Sequence, residues 1–203
     1  MVRTRAAVRE AATRLFLAHG YDGTTMEAIA AAAGLAKRTV YNNYADKRAL
    51  FTEIVTSVID FAEAFARELP AEFAAGVTAE TLPDRLHSLG RRIATGAVRE
   101  PVIQLRRLLV GESRTFPDLA REYYARAPGS VIRALADGFE RLACAGLLHV
   151  PDAGRAAEQF GYLVAGAAID RAMLTGSVPS EDELAVQACD GVDTFLARYA
   201  AVD

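Results

Sequence analysis

Lys37, Arg38, Thr39, Tyr41, Asn42 and Asn43 crowd into one short stretch of the chain. On a helix, the side they share is rich in hydrogen-bond donors and nearly free of carboxylates. Such a side suits base edges in a DNA major groove, where Arg and Lys pair with guanine and Asn with adenine. Tyr41 at its edge, Thr25 upstream and Lys47 downstream are better placed for phosphate oxygens. Helix N-termini expected at Thr25 and Asp46 would add backbone N–H groups for the same task.

Two short helices must position these groups. Thr25 reads as the N-cap of the first, with Ala28, Ile29 and Ala32 on one face and the alanine run to Ala33 allowing close approach by neighbours. Gly34–Leu35–Ala36 then makes a tight turn into a helix from about Lys37 to Tyr44, which is helix-turn-helix spacing. Ile29 and Val40 would face inward against Leu15, Phe16 and Phe51. An ordinary helical hairpin with a solvated polar face has the same spacing. Charge adds weight to the nucleic-acid reading. The chain carries a net −3, yet residues 1–50 hold eight basic side chains (Arg3, Arg5, Arg9, Arg14, Lys37, Arg38, Lys47, Arg48) against four acidic ones (Glu10, Asp22, Glu27, Asp46). A basic end on an acidic body points to a polyanionic partner for that end alone.

Other chemistries lack their residues. There is no glycine-rich phosphate loop, no HExxH and no G-x-S-x-G, and His19, His87 and His149 are scattered, so no catalytic residue and no enzyme activity are expected. Cys144 and Cys189 belong to no CxxC or Cys/His cluster and read as small buried hydrophobes, so no metal and no cofactor are expected. Met1 leads into Arg3, Arg5 and Arg9 with no apolar segment, and no run is long enough to span a bilayer. A cytoplasmic protein without membrane contact is the expectation.

The 203 residues include 41 alanines, and alanine is the strongest helix former. Apolar residues recur at helical spacing throughout, and no period-2 strand pattern is visible. The fold class is therefore all-α, with about nine helices. Gly20 should end the first helix, Asp46 cap the fourth and Pro70 end it. Residues 70–78 read as a connection. Pro117 should open a long segment that Pro128–Gly129 kinks or breaks, and Asp152 and Ser180 should open the last two helices.

The string from Gly34 to Leu50, GLAKRTVYNNYADKRAL, resembles the recognition segment of the TetR family of bacterial transcriptional regulators. The family pattern is roughly Gly-Val-Ser-Lys-Gly-Thr-Leu-Tyr-x-His-Phe-x-Ser-Lys-Glu-x-Leu. Gly34, Lys37, Thr39, Tyr41, Lys47 and Leu50 match in register. The upstream phrase LFLAHGYDGTTMEAIA resembles the family's Leu-Phe-x-x-x-Gly-Tyr-x-x-Thr-Thr-x-x-x-Ile-Ala. Arg38 stands where glycine is usual, Asn43 for histidine, Tyr44 for phenylalanine and Asp46 for serine. Residues 102–200 resemble more loosely the C-terminal domain of the AefR-like branch, through ESRTFPDLAREYY, AAEQF and FLARYA.

The resemblance implies an N-terminal three-helix DNA-binding domain over residues 1–48, with its helix-turn-helix at about 25–44. A helical ligand-binding and dimerisation domain would occupy 49–203. It implies a homodimeric repressor of a near-palindromic DNA operator, released by a small apolar or amphipathic effector. DNA contacts fall to Thr25, Lys37, Arg38, Thr39, Tyr41, Asn42, Asn43 and Lys47. Phe160, Leu163, Val164, Ala167 and Arg171 on one helix, with Val192, Phe195, Leu196 and Tyr199 on the last, form stripes suited to a four-helix dimer interface or to the core of one chain. Small residues at Gly161, Ala165 and Gly166 would permit close packing of a partner. Phe61, Phe65, Leu89, Ile93, Leu105, Leu109, Glu112, Tyr123 and Phe160 are candidate pocket walls. A salt bridge from Glu112 to Arg91, Arg92 or Arg106 is the plainer alternative for that acid. The competing functions are a helical small-molecule-binding protein without DNA activity and a helical enzyme acting on a lipid-like substrate.

Overall fold

A computed structural model of the chain describes residues 2–73 and 76–201. Among them are ten helices: α1 Val2–His19, α2 Met26–Ala32, α3 Lys37–Asn43, α4 Lys47–Glu72, α5 Leu82–Ala97, α6 Glu100–Gly111, α7 Pro117–Arg126, α8 Pro128–Cys144, α9 Ala153–Thr175 and α10 Glu181–Tyr199. No strand occurs among the described residues; Leu148 and Ala200 form one isolated bridge. The count exceeds nine because the segment from Pro117 divides at Ala127 into α7 and α8. Pro128 then takes the first turn of α8, where its missing N–H costs nothing.

Most helix ends follow their sequence signals. Gly20 closes α1. Thr25, Asp152 and Ser180 cap α2, α9 and α10, and Ser180 completes a capping box with Glu183. Pro70 departs from expectation, since α4 continues through it to Glu72. A proline there forgoes its N–H bond to the preceding turn and its ring crowds the carbonyl four residues back, a local cost that α4 bears with less than one turn still to follow. Of the expected connection over 70–78, Pro70–Glu72 are helical, residues 74 and 75 lie outside the described residues, and Gly76–Thr78 are non-helical.

The chain divides into two compact units, Met1–Asp60 with Gln104–Tyr124, and Phe61–Ile103 with Ala125–Asp203. The first therefore contains α1–α3, the start of α4, and most of α6 and α7. Its core includes Val8, Phe16, Ile29, Val40, Leu50, Phe51, Ile54, Leu105, Leu109 and Phe116. Phe16, Tyr21, Phe51 and Phe116 form a ring cluster with centroids 4.7–5.6 Å apart. Leu15 is only half-buried.

In the second unit α5, α8, α9 and α10 enclose a core of Leu86, Leu89, Leu135, Phe139, Phe160, Val164, Val192 and Phe195. Gly191 lets α10 lie against α9, because a Cβ there would be 2.7 Å from the backbone of Leu163. The stripes considered for dimerisation are largely this core. Phe160, Val164, Val192, Phe195 and Tyr199 are buried within the chain and Leu196 is half-buried. Gly161 faces Ile132 of α8, and Ala165 is buried, so neither is free for a partner. Cys144 is exposed and Cys189 half-buried, which corrects their reading as core residues.

Candidate nucleic-acid interface

The turn into α3 has the backbone its sequence requires. Gly34 adopts φ 67°, a left-handed conformation natural to glycine, and the N–H groups of Gly34 and Leu35 donate to the carbonyls of Ala31 and Ala30. Val40 is fully buried on the inner side of α3, as is Ile29 of α2. That anchoring turns Lys37, Arg38, Tyr41 and Asn42 outward, and all four are exposed. Arg38 and Asn42 have no hydrogen-bond or ionic partner among the described residues. Thr39 and Asn43 are half-buried, and Asn43 Nδ2 donates back to the Thr39 carbonyl at 2.8 Å.

Two of the expected phosphate contacts have internal duties. Thr25 is exposed, and its Oγ1 accepts from the Ala28 N–H at 3.1 Å, holding the start of α2. Lys47 Nζ donates to the carbonyls of Tyr21 and Thr24 at 2.6 and 2.8 Å and lies 4.2 Å from the Tyr21 ring centre. Its ammonium thus fastens the loop between α1 and α2 to the start of α4. Asp46 likewise accepts from the Ala49 N–H at 2.7 Å.

Two carboxylates absent from the sequence-based site organise it. Glu27, in the first turn of α2, pairs with Lys37 and accepts from the Tyr41 hydroxyl at 3.3 Å. The hydrogen bond from Lys37 holds the Glu27 carboxyl below its ordinary range, and Glu27 raises the Lys37 ammonium above its own. Glu53 of α4 pairs with Arg5 and Arg9 of α1 and accepts from the Tyr44 hydroxyl at 2.8 Å. Burial first, then the bond to Glu53, push the Tyr44 phenol up to about 12. Both carboxylates reach their partners across a turn or between helices, so no fixed sequence interval betrays them.

The expected pocket walls divide between the units. Leu105, Leu109, Glu112 and Tyr123 belong to the first, and Phe61, Phe65, Leu89, Ile93 and Phe160 to the second. Leu105, Leu109 and Tyr123 are buried in the first unit; Leu89, Ile93 and Phe160 are packed in the core of the second. Glu112 meets a backbone group instead of the arginines considered for it. Its Oε1 accepts the Tyr21 N–H at 2.9 Å, while Arg106 donates to the Tyr123 hydroxyl. Phe61 is exposed beneath Arg99, and Phe65 is half-buried beneath Arg92.

On the second unit, α9 and α10 border an open groove of about 670 Å³ whose lining includes Leu163, Ala167, Val186 and Gln187 together with Arg171 and the acidic Asp182, Glu183 and Asp190. Leu163, Ala167 and Arg171 are the exposed members of the stripes considered for dimerisation. Gln187 Nε2 is buried there with no hydrogen-bond partner among the described residues. No group of three or more His, Cys, Asp or Glu suited to a metal ion occurs among the described residues. No described helix is long and apolar enough to cross a membrane.

Comparison with known proteins bears on both units. Residues 8–54 match the model of the bacterial regulatory proteins of the tetR family, and residues 84–201 match that of the AefR-like transcriptional repressor C-terminal domain. A protein from Mesorhizobium loti MAFF303099 assigned to the TetR-family transcriptional regulators superposes with a TM-score of 0.81 at 30% identity, covering 98% of each chain. The flavonoid-responsive regulator FrrA gives a TM-score of 0.68 at 29% identity over 100% of both chains. The HTH-type transcriptional regulator YhgD of Bacillus subtilis (strain 168) is 40% identical over 52 residues, which is 26% of this chain and 27% of that protein.

Proposed function

The chain belongs to the TetR family of bacterial transcriptional regulators, with an AefR-like C-terminal domain, and we propose that it is a homodimeric repressor that reads a near-palindromic operator through α3. One observation carries the DNA-reading part: Arg38 and Asn42 stand exposed, without a hydrogen-bond or ionic partner among the described residues, on a helix whose opposite side is anchored by buried Val40. Arg38 supplies a planar donor pair for guanine, Asn42 a donor and acceptor for adenine. Lys37, Tyr41 and Thr25 meet phosphates and fix the register. Lys47 and Asn43 support the helix ends rather than touch DNA.

A short reading helix makes few base contacts, so useful specificity needs two copies on half-sites about 34–36 Å apart. The α9–α10 groove supplies a face for the second copy, with apolar Leu163 and Val186 and an unsatisfied amide at Gln187. We assign release from DNA to a small apolar or amphipathic ligand held by the C-terminal domain, a reading supported by the similarity to a flavonoid-responsive regulator. The ligand must bind a non-reading conformation better than the reading one.

Selection of bound duplexes from a random pool tests the proposal. Recovery of a two-fold symmetric site, with binding that weakens steeply as salt rises, is the expected result. Failure to retain any duplex at low salt would leave a helical ligand-binding protein instead.

A further inference from the structure

Glu27 is an acidic residue set among groups read as DNA contacts. Its carboxylate joins Lys37 and Tyr41 into a closed triangle spanning the helix-turn-helix, with the Lys37 Nζ 5.7 Å from the Tyr41 ring centre. All three remain open to solvent: the side chains of Lys37 and Glu27 are 61% and 50% exposed and Tyr41 is 41% exposed. Exposed ion pairs add little to folding stability. The α2–α3 packing rests instead on buried Ile29, Ala30 and Val40.

The consequence falls on binding. A phosphate approaching Lys37 meets a carboxylate already bound to the same ammonium. Non-specific association draws nearly all of its free energy from phosphate contacts, so it is the mode most weakened. A matched site gains something in return. Glu27 has already restricted the Lys37 and Tyr41 side chains, and part of their ordering cost is removed before DNA arrives. We infer that Glu27 is a specificity-determining residue that competes with duplex phosphates for Lys37 and holds Lys37 and Tyr41 in the geometry a matched operator accepts. The device works by disfavouring wrong partners as much as by favouring the right one. It rests on the reading of α3 as the base-contacting helix.

The test compares the intact protein with Glu27→Gln, Lys37→Gln and the double variant, each titrated with the selected duplex and with a random duplex over a range of salt. Glu27→Gln is expected to tighten the random duplex roughly fivefold, the scale of one charge pair at close range in water. Its salt slope should steepen by about 0.9, one extra phosphate contact. The selected duplex should tighten less, so the ratio of the two affinities falls. In the Lys37→Gln background the same change should have no effect on the random duplex. An unchanged ratio and slope, or an effect that persists without Lys37, would overturn the inference while leaving the operator reading intact. Parent protein that retains no duplex at all would overturn both. Thermal melting of each variant separates these effects from loss of fold.

Discussion

Arg38 occupies a position where the family pattern carries glycine, and its guanidinium has no hydrogen-bond or ionic partner among the described residues. A bidentate Arg–guanine contact discriminates by about 1–3 kcal/mol, so Arg38→Ala should relax the preference at one base step of each half-site and leave the rest of the selected sequence unchanged. Competition binding against single-base operator variants measures this. Equal preference before and after the substitution would show that Arg38 faces no base. Tyr44 tests the α1–α4 tie independently of DNA. Its folded phenol titrates at about 12, above the ordinary 10.0, chiefly because it is buried. The neutral form is thus favoured by folding. The associated stability is fully present below pH 10 and is lost as pH rises towards and through 12. The phenolate absorbance of the parent should contain a late component in that range which Tyr44→Phe removes. A parent in which all tyrosines titrate together near 10 would contradict the burial of Tyr44 and, after it, the hydrogen bond to Glu53.

Helices and turns respond to different substitutions. Gly34 sits at φ 67° with nothing within 4 Å of where a Cβ would be. Gly34→Ala therefore creates no clash and reports on backbone strain alone, about 1–2 kcal/mol for a left-handed residue. Denaturant unfolding of the chain should show a loss of that size, and an unchanged midpoint would mean that the turn relaxes. Gly191 is the opposite case, since an alanine there would press on the Leu163 backbone and force α9 and α10 apart. Helix α3 was legible from sequence because its signals are local: a turn glycine, one apolar residue facing inward and a row of donors. Glu27 and the inward pull on Lys47 were not. Both depend on where a loop or neighbouring helix returns in space. The α9 and α10 stripes were legible as apolar but not as core, because periodicity marks a face without saying which element covers it. In this chain α8 and α5 cover most of it. The inclusion of Gln104–Tyr124 in the compact unit of α3 was equally hidden, because the apolar side chains of Leu105, Leu109 and Phe116 mark a buried face without saying that Tyr21 and Phe51 meet it.

At the scale of the whole molecule, the proposed two-fold operator would require the chain to meet a second copy. Beyond the core, α9 and α10 leave Tyr162, Leu163, Leu174 and Val186 exposed. Val186 and Leu174 are 63% and 77% exposed, and Val186 borders the groove with Leu163 and Ala167. A carboxylate at position 186 would stay in water in a single chain, so Val186→Glu should leave its helicity and melting behaviour nearly unchanged at low concentration. In an isologous interface each copy would bring that charge into a groove whose lining already holds Asp182, Glu183 and Asp190 against one arginine, Arg171, and an uncompensated buried charge commonly costs several kcal/mol. Sedimentation should therefore find the parent at about twice the 21.8 kDa chain mass and the variant at the chain mass. Linked half-sites gain roughly 100-fold or more over isolated ones through effective concentration. The variant should lose that gain on a full operator while binding an isolated half-site as the parent does. A variant that sediments as a dimer would place the interface elsewhere on the second unit. Equal losses on full and half sites would instead point to damage in the reading helix.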